Sequence, residues 1–254
     1  MSLALIIDGT VARLRIDRAA KRNAFTQAMW EALPGLLAAA MAAPGVRVMV
    51  LEAAAPGAFC AGADIGEFAH GSRNPAWRTA NAAAIRRAQY ELARAPKPTI
   101  ALIEGDCIGG GCGLAIACDL RVATPSARFG ITPGKLGLVY SLHDTKLLVD
   151  LVGAGQAKRI LFTAGLIDAA EASRIGLVEI VVDDARAAVD TLCAQIAAAS
   201  PHSVTSSKQI VRRILDGQSD DDAASTAMFG EAFTGRDFEE GVAAFLAKRP
   251  PRFA

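Results

Sequence analysis

Two short runs of small residues in this chain could place bare main-chain N–H groups around a ligand. They are Phe59–Asp64 (Phe-Cys-Ala-Gly-Ala-Asp) and Ile108–Gly113 (Ile-Gly-Gly-Gly-Cys-Gly). Glycine and alanine let the backbone approach a ligand closely, because little or no side chain stands in the way. Two preorganised N–H donors aimed at one point stabilise a developing oxyanion, and this is usually the largest contribution to such catalysis. The runs therefore predict an oxyanion site; the alternative is a packed Gly/Ala seam.

Each run follows a segment that is predicted to be a buried strand. These segments are Val46–Glu52 and Thr99–Glu104, which are apolar and bounded by proline or glycine. Helices are predicted over Asn23–Ala40 and, directly after the second run, over Gly111–Cys118. A further strand is predicted over Leu120–Ala123, and strand, glycine and helix alternate again over Ala127–Gly137. The pattern indicates an α/β fold of stacked ββα units rather than a simple doubly wound sheet.

Composition limits the class of protein. A chain of 254 residues that is 52% hydrophobic can form one large core and an appendage. The net charge of +1 argues against nucleic acid or an acidic membrane as the main partner. Five cysteines, odd in number and without C-x-x-C spacing, predict free thiols and no metal site. With no signal-peptide pattern and no apolar run of about 18 residues, we expect a cytoplasmic protein.

From about residue 197 the strand pattern gives way to helices. Ser203–Leu215 is one predicted helix, and Asp220 to Asp222 mark the start of a second. Asp237 and Glu240 form a D-x-x-E start signal for a third. Three such helices cannot bury all their faces on one another. We therefore expect residues 1–196 to form the core with the site and 197–254 to form an arm that packs on neighbouring subunits, or else a cap on its own core.

Longer motifs, taken together, resemble the crotonase superfamily, also called the enoyl-CoA hydratase/isomerase family. They extend over essentially the whole chain: Arg18 with Arg22–Phe25, Phe59–Asp64, Ile108–Asp119, Phe129–Leu138, Lys158–Ala164 and Phe238–Pro250. The resemblance implies a crotonase-like spiral of stacked ββα units with a C-terminal helical oligomerisation arm, assembled as a homotrimer or dimer of trimers. It also implies an acyl-CoA thioester as the substrate. Coenzyme A is then part of the substrate, and no separate cofactor is expected.

The resemblance also implies roles for individual positions. Carried over by position, the N–H groups of Ala63 and Gly110 hold the thioester oxygen as an enolate forms. Lys21 and Arg22 occupy the place of the contacts to the adenosine end of coenzyme A, and Lys248 on the arm could reach a neighbouring subunit's ligand. The alternative for these cations is ordinary exposure at a helix end. The other implied binding positions are Ala24, Ala61, Asp64, Ile65, Gly109, Thr132, Pro133 and Leu136.

Two positions depart from the pattern of the family's typical hydratases. Those enzymes carry one glutamate two residues after the glycine run and another three residues after Phe-Gly. This chain has Gly113 and Pro133 there, and neither can transfer a proton. General acid–base catalysis contributes about 10²–10⁴-fold. We therefore expect an acyl-CoA lyase or isomerase of decarboxylase-like chemistry; the alternatives are an isomerase, an atypical hydratase and a non-catalytic CoA-binding homologue.

Tyr140 and Asp144 are the candidate residues for handling a proton. The segment Phe129–Tyr140 is similar to the methylmalonyl-CoA decarboxylase branch, which has a tyrosine at this position but also a histidine where Ala63 stands. Tyr140 would orient a carboxylate or donate the proton, and the alternative is a packing tyrosine at the pocket rim. Asp144 has the alternative of a helix N-cap, and His143 that of a solvent-facing side chain.

Overall fold

The computed structural model describes residues 2–253. Within that range the chain forms nine strands: β1 Leu3–Asp8, β2 Val11–Ile16, β3 Val48–Ala53, β4 Thr99–Ile103, β5 Asp106–Ile108, β6 Leu120–Ala123, β7 Arg128–Gly130, β8 Ile167–Asp168 and β9 Ile180–Val181. The ten α-helices of the same range are α1 Gln27–Ala42, α2 Ile65–Gly71, α3 Pro75–Ala93, α4 Gly110–Ala117, α5 Leu142–Thr163, α6 Ala169–Arg174, α7 Ala185–Ala198, α8 Pro201–Leu215, α9 Ala223–Ala232 and α10 Arg236–Leu246. Two 3₁₀ helices span Ala19–Lys21 and Pro133–Leu136.

The strands lie in two sheets, and the chain alternates between these sheets from β4 to β7. The larger sheet has the order β1-β2-β3-β4-β6-β9, parallel except for β1, and the smaller has the order β5-β7-β8. Thus β4 is followed by β5 and α4, and β6 by β7 and α5. Single parallel bridges between Cys60 and Cys107 and between Phe25 and Ala63 repeat the pattern earlier in the chain. The predicted spiral of ββα units is confirmed.

Strand β3 is covered on both of its faces. Val48 and Val50 belong to a small apolar cluster that also contains residues of α7, whereas Met49 and Leu51 belong to the main core. Alternate residues of a strand point to opposite faces, so a continuous apolar run indicates burial on both sides. The sheet is therefore a fixed scaffold for the loops that follow its strands.

Helix α1 begins four residues later than predicted. Asn23 has a left-handed backbone with φ of 58°, and the N–H of Phe25 donates to the carbonyl of Gly62 at 2.7 Å. The helix begins at Gln27, after Thr26 as its N-cap. Phe25, just before the cap, instead pairs with the first small-residue run, because its N–H donates to Gly62 and its carbonyl accepts from the N–H of Asp64.

Helix α10 does not use its predicted start signal. Its N-cap is Gly235, and no side chain caps it. The Asp237 carboxylate instead accepts a hydrogen bond from the Ser200 hydroxyl, and Glu240 binds the Arg249 guanidinium at 2.7 and 2.9 Å. The D-x-x-E interpretation is therefore wrong, because both carboxylates have stronger partners outside the first turn of the helix.

Glu240 should give the protein an acid-sensitive contribution to stability. The hydrogen bonds from Arg249, with that from the Arg252 N–H, lower the pKa of Glu240 from 4.5 to about 2. A carboxyl whose pKa falls on folding stabilises the protein above its unfolded pKa, and this contribution is lost as the pH drops toward the folded value. Between pH 4.5 and about 2, we expect the free energy of urea unfolding to fall more steeply in the wild type than in Glu240→Gln. Parallel profiles for the two proteins would contradict this assignment.

The last three helices leave large apolar side chains in contact with solvent. The most exposed are Phe245, Leu246, Phe229 and Ile214, all more than half accessible in the single chain. In the part of the chain that the structure describes, no helix combines the length and apolar character needed to cross a membrane.

Candidate active site

The two small-residue runs meet at two glycines with unusual backbone conformations. Gly62 has φ of 95° and Gly109 φ of 58°, values that residues with side chains rarely adopt. A Cβ atom on Gly62 would lie 2.9 Å from the carbonyl oxygen of Ile108 and 3.1 Å from the nitrogen of Gly110. A Cβ on Gly110 would lie 3.7 Å from the nitrogen of Ala63. The N–H groups of Ala63 and Gly110 therefore belong to segments in close contact.

Neither of these two N–H groups donates to a main-chain carbonyl within residues 2–253, whereas their neighbours do. The N–H of Asp64 donates to Phe25, and that of Gly109 to the carbonyl of Gly130 at 2.8 Å. Gly110 is the first residue of α4, so its N–H has no acceptor inside the helix. The positive end of the helix dipole lies at the same place. This arrangement can accept an anionic oxygen.

The predicted residues at the start of the chain lie beside the first run. The N–H of Ala61 donates to the carbonyl of Arg22 at 3.0 Å. The Arg22 guanidinium pairs with Asp106, which also binds Arg128 at 2.7 Å. Lys21 is exposed at the end of its 3₁₀ turn and Ala24 is buried. The ion pair with Asp106 therefore holds the Arg22 side chain in place.

Asp64 is occupied by structural contacts. Its carboxylate accepts hydrogen bonds from the N–H groups of Gly66 and Glu67 at the start of α2, and it pairs with Arg18 at 2.7 Å. The hydrogen bond from Arg18 holds the pKa of Asp64 below its usual value. Ile65, the first residue of α2, is 55% exposed. The run is thus anchored by Asp64 immediately after Ala63.

The other predicted binding residues fall into two groups. Thr132 lies close to the second run, since its Oγ1 is 3.7 Å from the position of a Cβ on Gly109. Pro133 and Leu136 begin and end the 3₁₀ helix that follows, and Leu136 is more than half exposed. Lys248 follows α10 and is exposed, and within the described single chain its ammonium group forms no ion pair. Within residues 2–253 no hydrogen bond or ion pair joins Lys248 to either run.

The space next to Gly113 is filled by a side chain from another helix. A Cβ on Gly113 would overlap the end of the Gln89 amide and would lie 3.0 Å from the Tyr140 hydroxyl. Gln89 is on α3 and only 1% exposed. A larger residue at position 113 therefore requires Gln89 to move.

Asp144 is a buried carboxylate, and the interpretation of this residue as a helix N-cap is wrong. The N-cap of α5 is Ser141, whose hydroxyl accepts from the N–H of Asp144. The Asp144 side chain is 4% exposed and faces His143, whose Nδ1 lies 3.0 Å from Oδ1. The amide N–H of Gln89 donates to this carboxylate, with the nitrogen 2.8 and 2.7 Å from the two oxygens. The amide is described in the orientation that this hydrogen bond requires.

The alternative of a solvent-facing His143 is wrong, since its side chain is only 17% exposed. Its Nδ1 points to the Asp144 carboxylate, so Nδ1 carries the proton. The other ring nitrogen, Nε2, is buried and has no hydrogen-bond partner among the described residues. The ring also lies 5.5 Å from that of Tyr90.

The hydroxyl of Tyr140 is buried and has no hydrogen-bond partner within residues 2–253. Burial, and next the negative charge of Asp144, raise the pKa of Tyr140 well above its ordinary value of 10. The phenol is therefore protonated at neutral pH and can donate a hydrogen bond to a ligand.

Two side chains at the site were not predicted from the sequence, Gln89 and Trp30. Gln89 lies on the α3 face that also buries Ala84 and Ala88. An amide beside small apolar residues is a weak local signal, because the same helix also buries the amide of Asn81. Trp30 from α1 is 1% exposed, and its ring lies 3.1 Å from the position of a Cβ on Gly110. Nothing in the sequence near Trp30 relates it to the second run.

Comparison with known proteins agrees with this geometry. A family model described as enoyl-CoA hydratase/isomerase matches residues 7–254. The mitochondrial methylglutaconyl-CoA hydratase of Mus musculus is 32% identical, over 94% of this chain and 78% of that protein. A crotonyl-CoA hydratase of Syntrophomonas wolfei is 33% identical, over 96% of this chain and 94% of its own length.

Solved structures show the same fold. An enoyl-CoA hydratase/isomerase family protein from Hyphomonas neptunium superimposes with a TM-score of 0.97 at 40% identity, covering 100% of this chain and 98% of that one. An enoyl-CoA hydratase from Bacillus anthracis gives a TM-score of 0.90 at 30% identity, covering 100% and 99%. The chain belongs to the enoyl-CoA hydratase/isomerase family.

Proposed function

We propose that this enzyme binds the oxygen of an acyl-CoA thioester between the N–H groups of Ala63 and Gly110 and stabilises it as an enolate. The observation that carries the proposal is the close approach of these two segments, each with an N–H that no main-chain carbonyl of the described residues accepts. The loss of one such donor costs about 2.7–4 kcal/mol of transition-state stabilisation in comparable sites.

Decarboxylation of a malonyl-type thioester is the reaction that these residues support best. The bond between the α-carbon and its carboxylate breaks, carbon dioxide leaves, and the electron pair passes to the thioester as the enolate. No base is needed for this step, which suits a site with Gly113 and Pro133. One proton must then reach the α-carbon, and the Tyr140 hydroxyl is a buried donor without an acceptor among the described residues.

Isomerisation or atypical hydration is the second candidate. Asp144 is a buried carboxylate close enough to Tyr140 for its charge to raise the pKa of the phenol, and a carboxylate can act as a general base. Several relatives also carry hydratase names. In this case Asp144 replaces the glutamates that the site lacks.

Binding of the coenzyme A portion is proposed at the same end of the core. Lys21 and Arg22 would contact its phosphates, and Lys248 would do so across a subunit interface. The exposed phenylalanines of α9 and α10 support an arm over residues 197–254 that packs on other subunits of a homotrimer or dimer of trimers. The ββα spiral over residues 1–196 would then carry the acyl-CoA site.

Parallel incubation with methylmalonyl-, ethylmalonyl- and crotonyl-CoA tests the reaction. We expect loss of carbon dioxide from one of the malonyl-type thioesters, detected by mass spectrometry of the acyl-CoA product.

Tyr140→Phe should lower kcat by about 10²-fold, because only the proton donor is removed, and Tyr90→Phe provides the matched control. Rapid hydration of crotonyl-CoA would favour the second candidate, and binding without turnover of any thioester would indicate a non-catalytic homologue.

A further inference from the structure

Gln89 connects the two most unusual features of the site, the bare position at Gly113 and the buried Asp144 carboxylate. Its amide end occupies the space that a side chain at position 113 would need. The nitrogen of the same amide lies 2.8 and 2.7 Å from the two oxygens of Asp144, so its N–H donates to the carboxylate. Any displacement of this amide by a residue at position 113 therefore breaks contacts to Asp144.

The partners of Asp144 explain why Tyr140 remains free. Oδ1 of Asp144 lies within hydrogen-bond distance of both His143 and Gln89. Oδ2 has only Gln89 as a partner among the described side chains. Tyr140 is a phenol whose hydroxyl has no partner in that range. Buried polar groups without partners are costly, and bonds to a carboxylate are strong. The Tyr140 hydroxyl and the Gln89 amide both lie within 3.0 Å of the position of a Cβ on Gly113, so the two groups are neighbours. Without the amide we therefore expect Oδ2 to accept a hydrogen bond from the hydroxyl.

We propose that Gln89 is a positioning residue of this active site: it occupies the carboxylate of Asp144 so that the Tyr140 hydroxyl stays available to the substrate. This inference rests on the proposed function for the identity of the substrate, but the arrangement of hydrogen bonds can be tested without any substrate. Gln89 touches neither the α-carbon nor the thioester in this scheme. It acts through Asp144 and Tyr140.

The first experiment reads the hydrogen bond of Tyr140 directly. The chain has two tyrosines, so a Tyr90→Phe background leaves Tyr140 as the only reporter. The tyrosine Fermi doublet in the Raman spectrum distinguishes a phenol that donates to a carboxylate from one that does not. We expect no strong donation in this background, and donation to Asp144 once Gln89→Met is added, because methionine fills similar space without an N–H.

A second pair of variants separates this role from a general effect of buried amides. Gly113→Ala leaves Gln89 in the chain but pushes its amide away from Asp144, so it should produce the same Raman change. Asn81→Leu removes another buried amide of α3, 4% exposed and outside the Asp144 cluster, and should leave the doublet unchanged. Gly113→Ala also keeps the test open if Gln89→Met fails to fold.

Kinetics provide the third readout on whichever thioester is turned over. Gln89→Met and Gly113→Ala should each lower kcat by about tenfold or more while KM stays within about twofold, because the hydroxyl is lost to Asp144 and the binding contacts remain. An unchanged doublet in both variants, or strong donation already present with Gln89 in place, overturns the inference. A changed doublet in a protein that fails to decarboxylate supports the role of Gln89 and rejects only the proposed reaction.

Discussion

Replacing Gly110 with proline should lower kcat by about 10²–10³-fold, because proline removes one of the two N–H groups proposed to hold the enolate. Gly110 is the first residue of α4, and proline is well tolerated at the first position of a helix. The substitution therefore removes a donor without removing a hydrogen bond of the helix. Steady-state turnover of the thioester identified in the incubation series measures the effect.

Gly110→Ala is the matched control for this prediction. Alanine and proline both introduce a Cβ, which would lie 3.1 Å from the Trp30 ring, but alanine retains the N–H. The ratio of the two rates therefore isolates the hydrogen bond from the steric effect on Trp30. Equal rates for the two variants would show that the Gly110 N–H does not take part in the reaction.

Replacing Arg121 with methionine should destabilise the protein by about 3–5 kcal/mol, as expected when one partner of a buried charged network is removed. Arg121 is 1% exposed. Its guanidinium donates to the carbonyls of Cys118 and Leu177, at 2.8 and 2.9 Å, and to that of Ala115 at 3.3 Å, and it pairs with Glu179. Methionine fills part of the space but leaves these acceptors without a donor.

The position of Arg121 also links this stability to the site. Two of its acceptors belong to the last turn and C-cap of α4, the helix whose first residue is Gly110, and a cation is favourable at a helix C-terminus. Urea unfolding measures the loss. Arg174→Met, which removes an exposed partner of Glu171, should leave the unfolding midpoint unchanged. A similar small effect for Arg121→Met would mean that α4 is held by apolar packing alone.

Local sequence patterns were sufficient to identify the strands of the larger sheet and most helices of the core. Strand β6 has the predicted bounds, and β3, β4 and α4 begin or end within two residues of them, because β-branched runs and glycine or proline boundaries act over a few residues. The start of α1 was wrong since the pairing of Phe25 with Gly62 comes from a segment nearly forty residues away. Long-range pairing of this kind leaves no periodic signal.

The sequence by itself determined that two glycine-bearing runs follow buried strands and that Gly113 and Pro133 offer no proton-transferring group. These properties belong to residue types at fixed spacings, so they do not depend on the packing of distant segments. Only the tertiary structure decided what surrounds them. Gln89 from α3 fills the space at Gly113. Asp144 does not cap a helix but is buried in contact with the Gln89 amide. The physical reason is that a buried carboxylate needs hydrogen-bond donors, and the packing of α3 and α5 against α4 brings these donors to Asp144.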